Sequence, residues 1–313
     1  MLICGGAGFI GSHVARRFVA NGAHVTVIDA LVAGTGGSLD HIADVQPVVD
    51  LFVAPIESID GLRALLDSVD VIVDAMAWTR HLAALQDPLL DMRLNLAAHL
   101  TLIQALRGLR PRLVIYLGSR SQYGRTAARV VTEDEPMAPS DPQGVHKVAA
   151  ESHFRNYAAL DGYHVVSLRL PNCYGECQPV TGDDIGLVGG FIRTLCEDQT
   201  VTVYGKTRRR TLLYARDAAE VVARVAELSV SGFIALNVAG RDVEIRDLAM
   251  QLRSLVGRGS VADGVMPSEI AAIDQGDATV VDSRLRALIG DVPQTDLHDA
   301  LRRTVGYFTE HLA

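Results

Sequence analysis

A cluster of glycines directly after the first apolar segment constrains the fold more than any other feature of this chain. Gly5, Gly8 and Gly11 are spaced as G-x-x-G-x-x-G, and with Gly6 the cluster also satisfies G-x-G-x-x-G. This spacing allows a tight turn between a strand and a helix and lets a pyrophosphate approach the backbone at the helix N-terminus. The second apolar segment ends in Asp29, where a carboxylate can bind ribose hydroxyls. The cluster therefore predicts a dinucleotide site.

The residues around Asp29 indicate which dinucleotide binds. A carboxylate at this position repels a 2′-phosphate, and no basic residue follows in Ala30, Leu31 or Val32. NAD is therefore predicted in preference to NADP. Asp50 near the third strand's end can reach the adenine amino group, and a largely small-residue segment at 74–77 lets the cofactor lie close.

Short apolar segments alternate with segments of helical spacing in the first half of the chain. Alternation of this kind predicts an α/β fold with a right-handed, doubly wound parallel sheet of the Rossmann type. Predicted strands cover residues 1–4, 24–29, 69–76, 113–119 and 164–170, and predicted helices cover 9–21, 59–66, 88–109 and 143–160. The predicted division is an NAD-binding domain at 1–170, with 212–240 returning to it, and a smaller C-terminal α/β substrate-binding region at 171–211 and 241–313.

Composition narrows the class of protein. The chain has 313 residues with a net charge of −8, which argues against a nucleic-acid partner. No apolar run approaches membrane length, and no signal peptide precedes the first predicted strand, so we expect a cytoplasmic protein without a membrane partner. The four cysteines match neither a disulfide framework nor a zinc pattern, and no metal site is predicted.

Polar residues near the ends of the later strands indicate where a substrate binds. Ligands of open α/β sheets bind at the carboxyl ends of the strands. Ser119 ends the predicted strand at 113–119 and can hydrogen-bond a reacting carbonyl or hydroxyl, and Lys147 follows on the next helix. Asn95, inside the helix at 88–109, has a polar side chain that requires a partner.

Several ordered motifs extend this pattern over most of the chain. They are Gly5–Gly11, a serine-containing strand end followed by Tyr-Gly at 119–124, Arg-x-x-Asn-x-Tyr-Gly at 169–175, Val-Tyr-Gly at 203–205, and Arg-x-x-x-Tyr-x-x-Asp at 210–217. In this order the chain resembles an extended short-chain dehydrogenase/reductase of the nucleotide-sugar epimerase/dehydratase type.

The resemblance implies a role for individual residues. It implies NAD contacts from Gly5, Gly8, Phe9, Ile10, Gly11, Asp29, Asp50, Leu51 and Lys147, to which the positions of the strand ends and helices add Ala75, Met76 and Asn95. Ser119 would polarise the sugar oxygen, Asn172 and Arg210 would contact the diphosphate, and Tyr204 would lie near the base. An arginine suits the diphosphate because its planar fork matches phosphate oxygens.

The chain departs from the family pattern at the catalytic tyrosine. The family motif Tyr-x-x-x-Lys is replaced by glutamine and lysine at positions 143 and 147. A glutamine amide cannot give or take a proton at ordinary pH, whereas general acid–base help is worth about a hundredfold to ten-thousandfold in rate. A second departure is the lack of an arginine in Gln275-Gly276-Asp277, where the family often has Arg-x-Gly-acid. The acid pair of a 4,6-dehydratase is also missing after Ser119.

Three interpretations of Gln143 follow. In the first, another group carries the proton: His146 lies one helical turn away, a water or substrate hydroxyl can be held by Gln143, and Cys173 and Tyr123 are further candidates. In the second, the protein binds NAD and a nucleotide sugar without turnover. In the third, the glutamine is an introduced change that traps substrate.

The function predicted from the sequence is that of an NAD-dependent epimerase acting on a nucleotide-diphosphate sugar through a transient keto intermediate. The catalytic residues would be Ser119, Gln143, His146 and Lys147. A 4-ketosugar reductase and a catalytically silent binding protein are the alternatives. By the same resemblance, the helices at 88–109 and 143–160 are predicted to pair in a homodimer.

Overall fold

A large parallel sheet organises the chain. The computed structural model describes residues 1–110, 112–182, 185–205, 207–274, 276–292 and 294–312. Gln275, named above, lies outside the described residues. The strands are β1 (Leu2–Cys4), β2 (Val25–Asp29), β3 (Val49–Val53), β4 (Val71–Asp74), β5 (Leu113–Ser119), β6 (Val130–Val131), β7 (His164–Leu170), β8 (Asn172–Tyr174), β9 (Thr200–Tyr204), β10 (Arg209–Tyr214), β11 (Phe233–Asn237), β12 (Arg241–Glu244), β13 (Ser260–Gly264) and β14 (Thr279–Val280).

Helices connect these strands and cover both faces of the large sheet. They are α1 (Phe9–Ala20), α2 (Leu62–Ser68), α3 (His81–Gln86), α4 (Pro88–Met92), α5 (Ala98–Leu106), α6 (Pro142–Asp161), α7 (Leu187–Cys196), α8 (Ala215–Val225), α9 (Ile245–Val256), α10 (Ser268–Ile273), α11 (Ser283–Ile289) and α12 (Leu297–Leu312). No helix in the described part of the chain is long and apolar enough to cross a membrane.

The strand order confirms the predicted Rossmann-type fold. The large sheet has the order β11-β7-β5-β4-β1-β2-β3, and all of its described neighbours pair in parallel. From β1 the chain first builds outward through β2 and β3, then crosses to β4 on the other side. The order therefore reverses between β1 and β4, which is where open sheets of this type bind ligands.

The central strands are buried on both faces, as the short apolar segments predicted. In β1, Ile3 packs into one core cluster while its neighbours Leu2 and Cys4 pack into another. Successive side chains of a strand point to opposite faces, so these two clusters lie on opposite sides of the sheet. Helices α1 and α8 contribute to the first cluster, and α2, α5 and α6 to the second. This sandwich holds the strand ends, and hence the candidate site, in fixed positions.

A third core cluster forms among later elements. Helices α7, α9 and α12 pack there against β9 and β10, with Ile192, Leu248 and Leu301 completely buried. Strand β10 pairs with β8 and β12 in a small mixed sheet, whereas β11 joins the edge of the large sheet beside β7. The division into two domains at the residues given above stays a prediction.

Two predicted elements have different bounds in the structure. The helix predicted at 88–109 is interrupted by a π-helical segment, Arg93–Ala97, between α4 and α5. The interruption coincides with the completely buried Asn95, whose amide donates to the side chain of Asp91 and to the carbonyl of Trp78. Strand β3 begins at Val49, so Asp50 lies near its start and not at its carboxyl end.

A buried ion pair ties α6 to the sheet. Glu151 on α6 and Arg169 on β7 are each 1% exposed, and Arg169 Nε donates to a Glu151 oxygen at 3.0 Å. Gln122 and Ser167 donate to the same carboxylate. Burial alone would raise the pKa of Glu151, but the hydrogen bond and charge of Arg169 and the other donors outweigh it and hold the pKa below its usual value.

We expect Arg169→Met to lower the free energy of unfolding by about 3–5 kcal/mol, because it leaves the Glu151 charge buried without its partner. Urea denaturation at pH 7 measures the change. The control is Arg302→Gln, which removes an exposed partner of Asp299 on α12 and should cost less than about 1 kcal/mol. Equal losses in the two variants would contradict this view of the pair.

Candidate functional site

A cavity of about 870 Å³ opens at the carboxyl ends of the central strands, where the strand order reverses. Its wall contains the residues that end or follow four neighbouring strands: Gly5 after β1, Asp29 in β2, Ala75 after β4 and Ser119 in β5. The cavity therefore occupies the place where the sequence predicts both cofactor and substrate.

The glycine turn makes one end of this cavity. Gly5 has φ +78°, and a Cβ there would lie 2.9 Å from the backbone of Ala75. A Cβ on Gly11 would lie only 2.0 Å from the carbonyl oxygen of Gly5, so the start of α1 can approach the turn only without side chains. Gly8, the N-cap of α1, has no side chain to accept from the first-turn N–H groups. These donors are left for a bound anion.

Asp29 joins the glycine turn to the end of β2. One carboxylate oxygen accepts from the amide of Ala7 at 2.9 Å, and the other accepts from the amide of Leu31 at 2.9 Å. Both bonds are charge-assisted, and they fix the carboxylate at the cavity wall. Each carboxylate oxygen can accept a second hydrogen bond, which a ribose hydroxyl can donate.

Ser119 ends β5 and caps the short 3₁₀ turn Arg120–Tyr123. Its Oγ accepts from the amide of Ser121 at 3.1 Å, and the side chain of Gln122 accepts from the Ser119 amide at 2.8 Å. This capping box holds the hydroxyl in place. Because Oγ is the acceptor in the cap, its hydrogen remains available to donate to a ligand.

Gln143 lies in the first turn of α6. Asp141 caps this helix by accepting from the amide of Gly144 at 2.7 Å. Gln143 is 3% exposed, and its Nε2 donates to the carbonyl of Trp78 at 2.7 Å. A carbonyl partner requires the NH₂ side of the amide, so the amide oxygen points elsewhere. Within the described residues this oxygen accepts no hydrogen bond, and a ligand hydroxyl can donate to it.

Lys147 lies one turn further along α6. Its Nζ donates to the carbonyls of Met76 at 3.3 Å and Leu117 at 3.2 Å, which come from the ends of two neighbouring strands. Burial lowers the pKa of Lys147 to about 8, although the charges of Asp74 and Asp91 oppose the shift. The ammonium group is therefore much easier to deprotonate than an ordinary lysine.

The cavity wall brings together most of the predicted site residues, although wall placement does not assign their roles. Those on the wall are Gly5, Gly8, Phe9, Ile10, Gly11, Asp29, Ala75, Met76, Ser119, Gln143, Lys147 and Asn172. Those that the structure places off the wall are Asp50, Leu51, Asn95, His146, Tyr204 and Arg210.

Three of the predicted NAD contacts lie off the wall because they have local partners. The Asp50 side chain is 60% exposed and lies 3.3 Å from the imidazole of His24, because its position near the start of β3 is distant from the strand ends. Leu51 packs against a core cluster. Asn95 is held by the backbone of Trp78, to which it both donates and accepts.

His146 and Arg210 also lie off the wall and have partners elsewhere. Nδ1 of His146 is hydrogen-bonded to Asp91, so its imidazole contacts α4 and not the cavity. Arg210 donates to Asp277 at 3.0 Å and shares Asp274 with Arg208. Tyr204 is the last residue of β9.

Comparison with known proteins identifies the family. The model of the NAD dependent epimerase/dehydratase family matches residues 1–239, which is more than half of the chain. The chain belongs to this family. UDP-glucose 4-epimerase of Mycolicibacterium smegmatis is 28% identical over 314 residues, covering 98% of this chain and 97% of that protein.

Solved structures agree with this assignment. UDP-glucose 4-epimerase of Thermus thermophilus, in complex with NAD, is 26% identical and covers 98% of both chains with a TM-score of 0.82. UDP-N-acetylglucosamine 4-epimerase of Methanobrevibacter ruminantium shares the fold at 23% identity and a TM-score of 0.88, covering 99% of this chain and 98% of that one. As predicted from its motifs, the protein is an extended short-chain dehydrogenase/reductase with NAD as its cofactor.

The glycine turn fits the cofactor of the epimerase/dehydratase family. The cradle that a Cβ on Gly5 or Gly11 would fill can accept a pyrophosphate, and Asp29 is fixed where an adenosine ribose can be bound. Residues that would hold the rest of NAD are Ala75, Met76 and Lys147 on the facing wall.

His81 and Arg120 are among the wall residues that were not predicted from the sequence. His81 opens α3, and its Nδ1 is 2.9 Å from the carboxylate of Asp141, the cap of α6. No local sequence signal links these positions, because they are 60 residues apart. Arg120 directly follows Ser119, and a basic residue at a strand end that borders a ligand site was a usable signal.

We expect Gly11→Ala to reduce NAD affinity by at least about tenfold, because the added methyl group forces α1 away from the glycine turn. Fluorescence titration with NAD measures this. Gly190→Ala in α7 is the matched control, since a Cβ there meets nothing within 4 Å. Unchanged affinity in Gly11→Ala, with its fold intact by circular dichroism, would exclude the turn as the cofactor site.

The lowered pKa of Lys147 predicts a pH-dependent stability. The folded value of about 8 lies below the unfolded value of 10.5, so the charge of Lys147 costs stability below pH 8 and this cost is removed as the pH rises towards 10.5. We therefore expect the native protein to gain stability relative to Lys147→Met between about pH 8 and pH 10. Urea denaturation of both proteins across this range, without NAD, measures it. Parallel pH curves would contradict the prediction.

Proposed function

We propose that the protein is an NAD-dependent epimerase acting on a nucleotide-diphosphate sugar through a transient keto sugar. The observation that carries the proposal is that the glycine turn, Ser119, Gln143 and Lys147 line one cavity. The cavity thus places a hydroxyl donor, an amide acceptor and a buried cation beside the cofactor cradle. Epimerases among the relatives, including the enzyme from M. smegmatis, support the same activity.

Ser119, Gln143 and Lys147 have separate roles in the proposed reaction. Bound NAD supplies the chemistry of accepting a hydride from the sugar carbon and returning it. Ser119 donates its hydroxyl hydrogen to the oxygen on that carbon, and the free amide oxygen of Gln143 accepts from the hydroxyl before oxidation. Lys147 contributes positive charge that stabilises a developing oxyanion. Binding the sugar oxygen in this way orients it, but it does not remove the proton.

Two groups on the wall are candidates for exchanging the proton. One is the imidazole of His81, oriented by Asp141 as in other histidine–carboxylate pairs. Burial would raise the pKa of Asp141, but the hydrogen bond and charge of His81 outweigh it and lower the pKa. The other is Lys147, with its pKa of about 8. The thiol of Cys173 is unsuited, because burial raises its pKa to about 12.

The sequence-based candidates His146 and Tyr123 are less well placed. His146 is engaged with Asp91 off the wall. The Tyr123 hydroxyl donates to Asn237 at 2.6 Å and accepts from Arg169 at 2.7 Å, and burial raises its pKa. Both side chains have structural partners that a proton-transfer role would disrupt.

The test is turnover of UDP-hexoses by the NAD-loaded protein, with product identity and solvent-deuterium incorporation as readouts. We expect the native protein to interconvert two epimers. His81→Asn should lower kcat by about a hundredfold or more if the imidazole carries the proton, while His146→Asn, the matched control, should change it by less than about threefold. Gln143→Tyr should raise kcat, because it restores a titratable group beside Lys147.

The outcomes separate the alternatives. Retained turnover in His81→Asn together with a rate that rises through pH 8 would assign the proton to Lys147. No turnover in the native protein, but turnover in Gln143→Tyr, would contradict the proposal and favour the catalytically silent binding protein. A single irreversible reduction of a 4-ketosugar would favour the reductase.

Other predicted features complete the proposal. The region formed by 171–211 and 241–313 would hold the nucleotide and diphosphate, with Asn172, Tyr204 and Arg210 as contacts. Asn172 already lines the cavity, whereas Arg210 would have to exchange Asp274 or Asp277 for phosphate oxygens. Pairing of two copies through the helices at 88–109 and 143–160 is part of the proposal.

A further inference from the structure

Arg120 is a buried cation that forms no direct ion pair with any residue that the structure describes. It is the first residue after Ser119, is 5% exposed, and lines the cavity. Within the residues that the structure describes, its guanidinium has neither a hydrogen bond nor an ion pair. A buried guanidinium has five donors to satisfy, and an unpaired buried charge is strongly destabilising. Solvent or a ligand in the cavity can serve as its partner.

The neighbouring arginines differ from Arg120 because acids already neutralise them. Arg208 and Arg210 both bind Asp274, and Arg210 also binds Asp277 at 3.0 Å. Arg120 forms no ion pair with these acids. Burial together with repulsion from Arg210 lowers its pKa to about 10, although the charges of Asp274, Asp277 and Asp242 oppose the shift.

The position of Arg120 indicates which ligand supplies the anion. It follows β5, which is separated from the glycine turn after β1 by strand β4. Two strand spacings amount to about 10 Å. The cofactor pyrophosphate belongs to the glycine turn, so Arg120 faces the half of the cavity where Ser119 would contact the substrate.

We propose that Arg120 binds an anionic group of the substrate, through a forked contact with two phosphate or carboxylate oxygens. This inference rests on the proposed function for the identity of the ligand as a nucleotide sugar. The anion is then either the diphosphate or a carboxylate on the sugar, as in a uronate. Both match the planar fork of a guanidinium.

The test compares Arg120→Gln and Arg120→Lys with the native protein, all loaded with NAD. Isothermal titration with UDP, UDP-glucose and UDP-glucuronate measures affinity. A charge-assisted contact contributes about 1.5–3 kcal/mol, so Arg120→Gln should weaken binding by roughly tenfold to a hundredfold. Arg120→Lys keeps the positive charge but loses the forked geometry. Its affinities should therefore lie between those of the native protein and those of Arg120→Gln. Arg125→Gln is the matched control, because Arg125 is largely exposed and off the cavity wall.

The three ligands distinguish the two sources of the anion. Equal weakening of all three by Arg120→Gln assigns the contact to the diphosphate. Weakening of UDP-glucuronate alone assigns it to the sugar carboxylate and makes Arg120 a specificity residue for uronates. Affinities within about twofold of native for all three would overturn the proposal.

A further measurement separates this inference from the proposed function. With NAD bound at the glycine turn, inorganic diphosphate should raise the Tm of the native protein and of Arg125→Gln, but not that of Arg120→Gln. The native protein could show this pattern of Tm shifts and still bind no nucleotide sugar. That result would support the anion site at Arg120 and exclude a nucleotide sugar as the substrate. If nucleotide sugars bind the native protein and Arg120→Gln binds them equally well, the proposed substrate is supported and the anion site at Arg120 is excluded. Absence of both nucleotide-sugar binding and the diphosphate shift overturns both proposals.

Discussion

The hydrogen bond from the amide of Gly144 to Asp141 fixes the candidate site. It caps α6 at the helix turn that presents Gln143 and, one turn later, Lys147. The same carboxylate holds His81, so the cap also fixes the start of α3 at the cavity wall. A Cβ on Gly144 would lie 2.8 Å from the carbonyl oxygen of Ser121, which shows how closely the capped turn approaches the Ser119 segment. One capping interaction thus sets the relative positions of side chains from three parts of the chain.

The amide of Gln143 is held by the scaffold around it. Gln143 is buried and satisfied on its NH₂ side by Trp78, a residue that Asn95 holds through both its amide and its carbonyl. The surrounding scaffold is therefore independent of whether position 143 can titrate. The amide at position 143 can therefore accept a hydrogen bond from a ligand, but it cannot exchange a proton.

The sequence predicted the fold well because short apolar strands, the glycine turn and ordered motifs are local signals. It located much of the cavity wall for the same reason: Asp29 and Ser119 end strands, and strand ends meet at one edge of the sheet. It could not predict side-chain placements that depend on a long-range partner. His146 is directed to Asp91 across 55 residues, Arg210 to acids more than 60 residues later, and His81 to Asp141, none of which periodicity reveals. The break in the helix at 88–109 depends on the backbone of Trp78, which is also outside the local pattern.

The π-helical segment at Arg93–Ala97 has a consequence for how such a site can change. A π turn accommodates one residue more than an α turn, and one residue corresponds to about 100° of rotation around a helix axis. The orientation of α4 relative to α5 therefore depends on this single extra residue, and with it the direction in which Leu90 meets the cavity and Asp91 meets α6. Loss or gain of one codon in this segment would turn a different set of side chains towards the ligand while leaving the sheet untouched. A one-residue length change here is therefore a direct route to a new binding surface at the cavity.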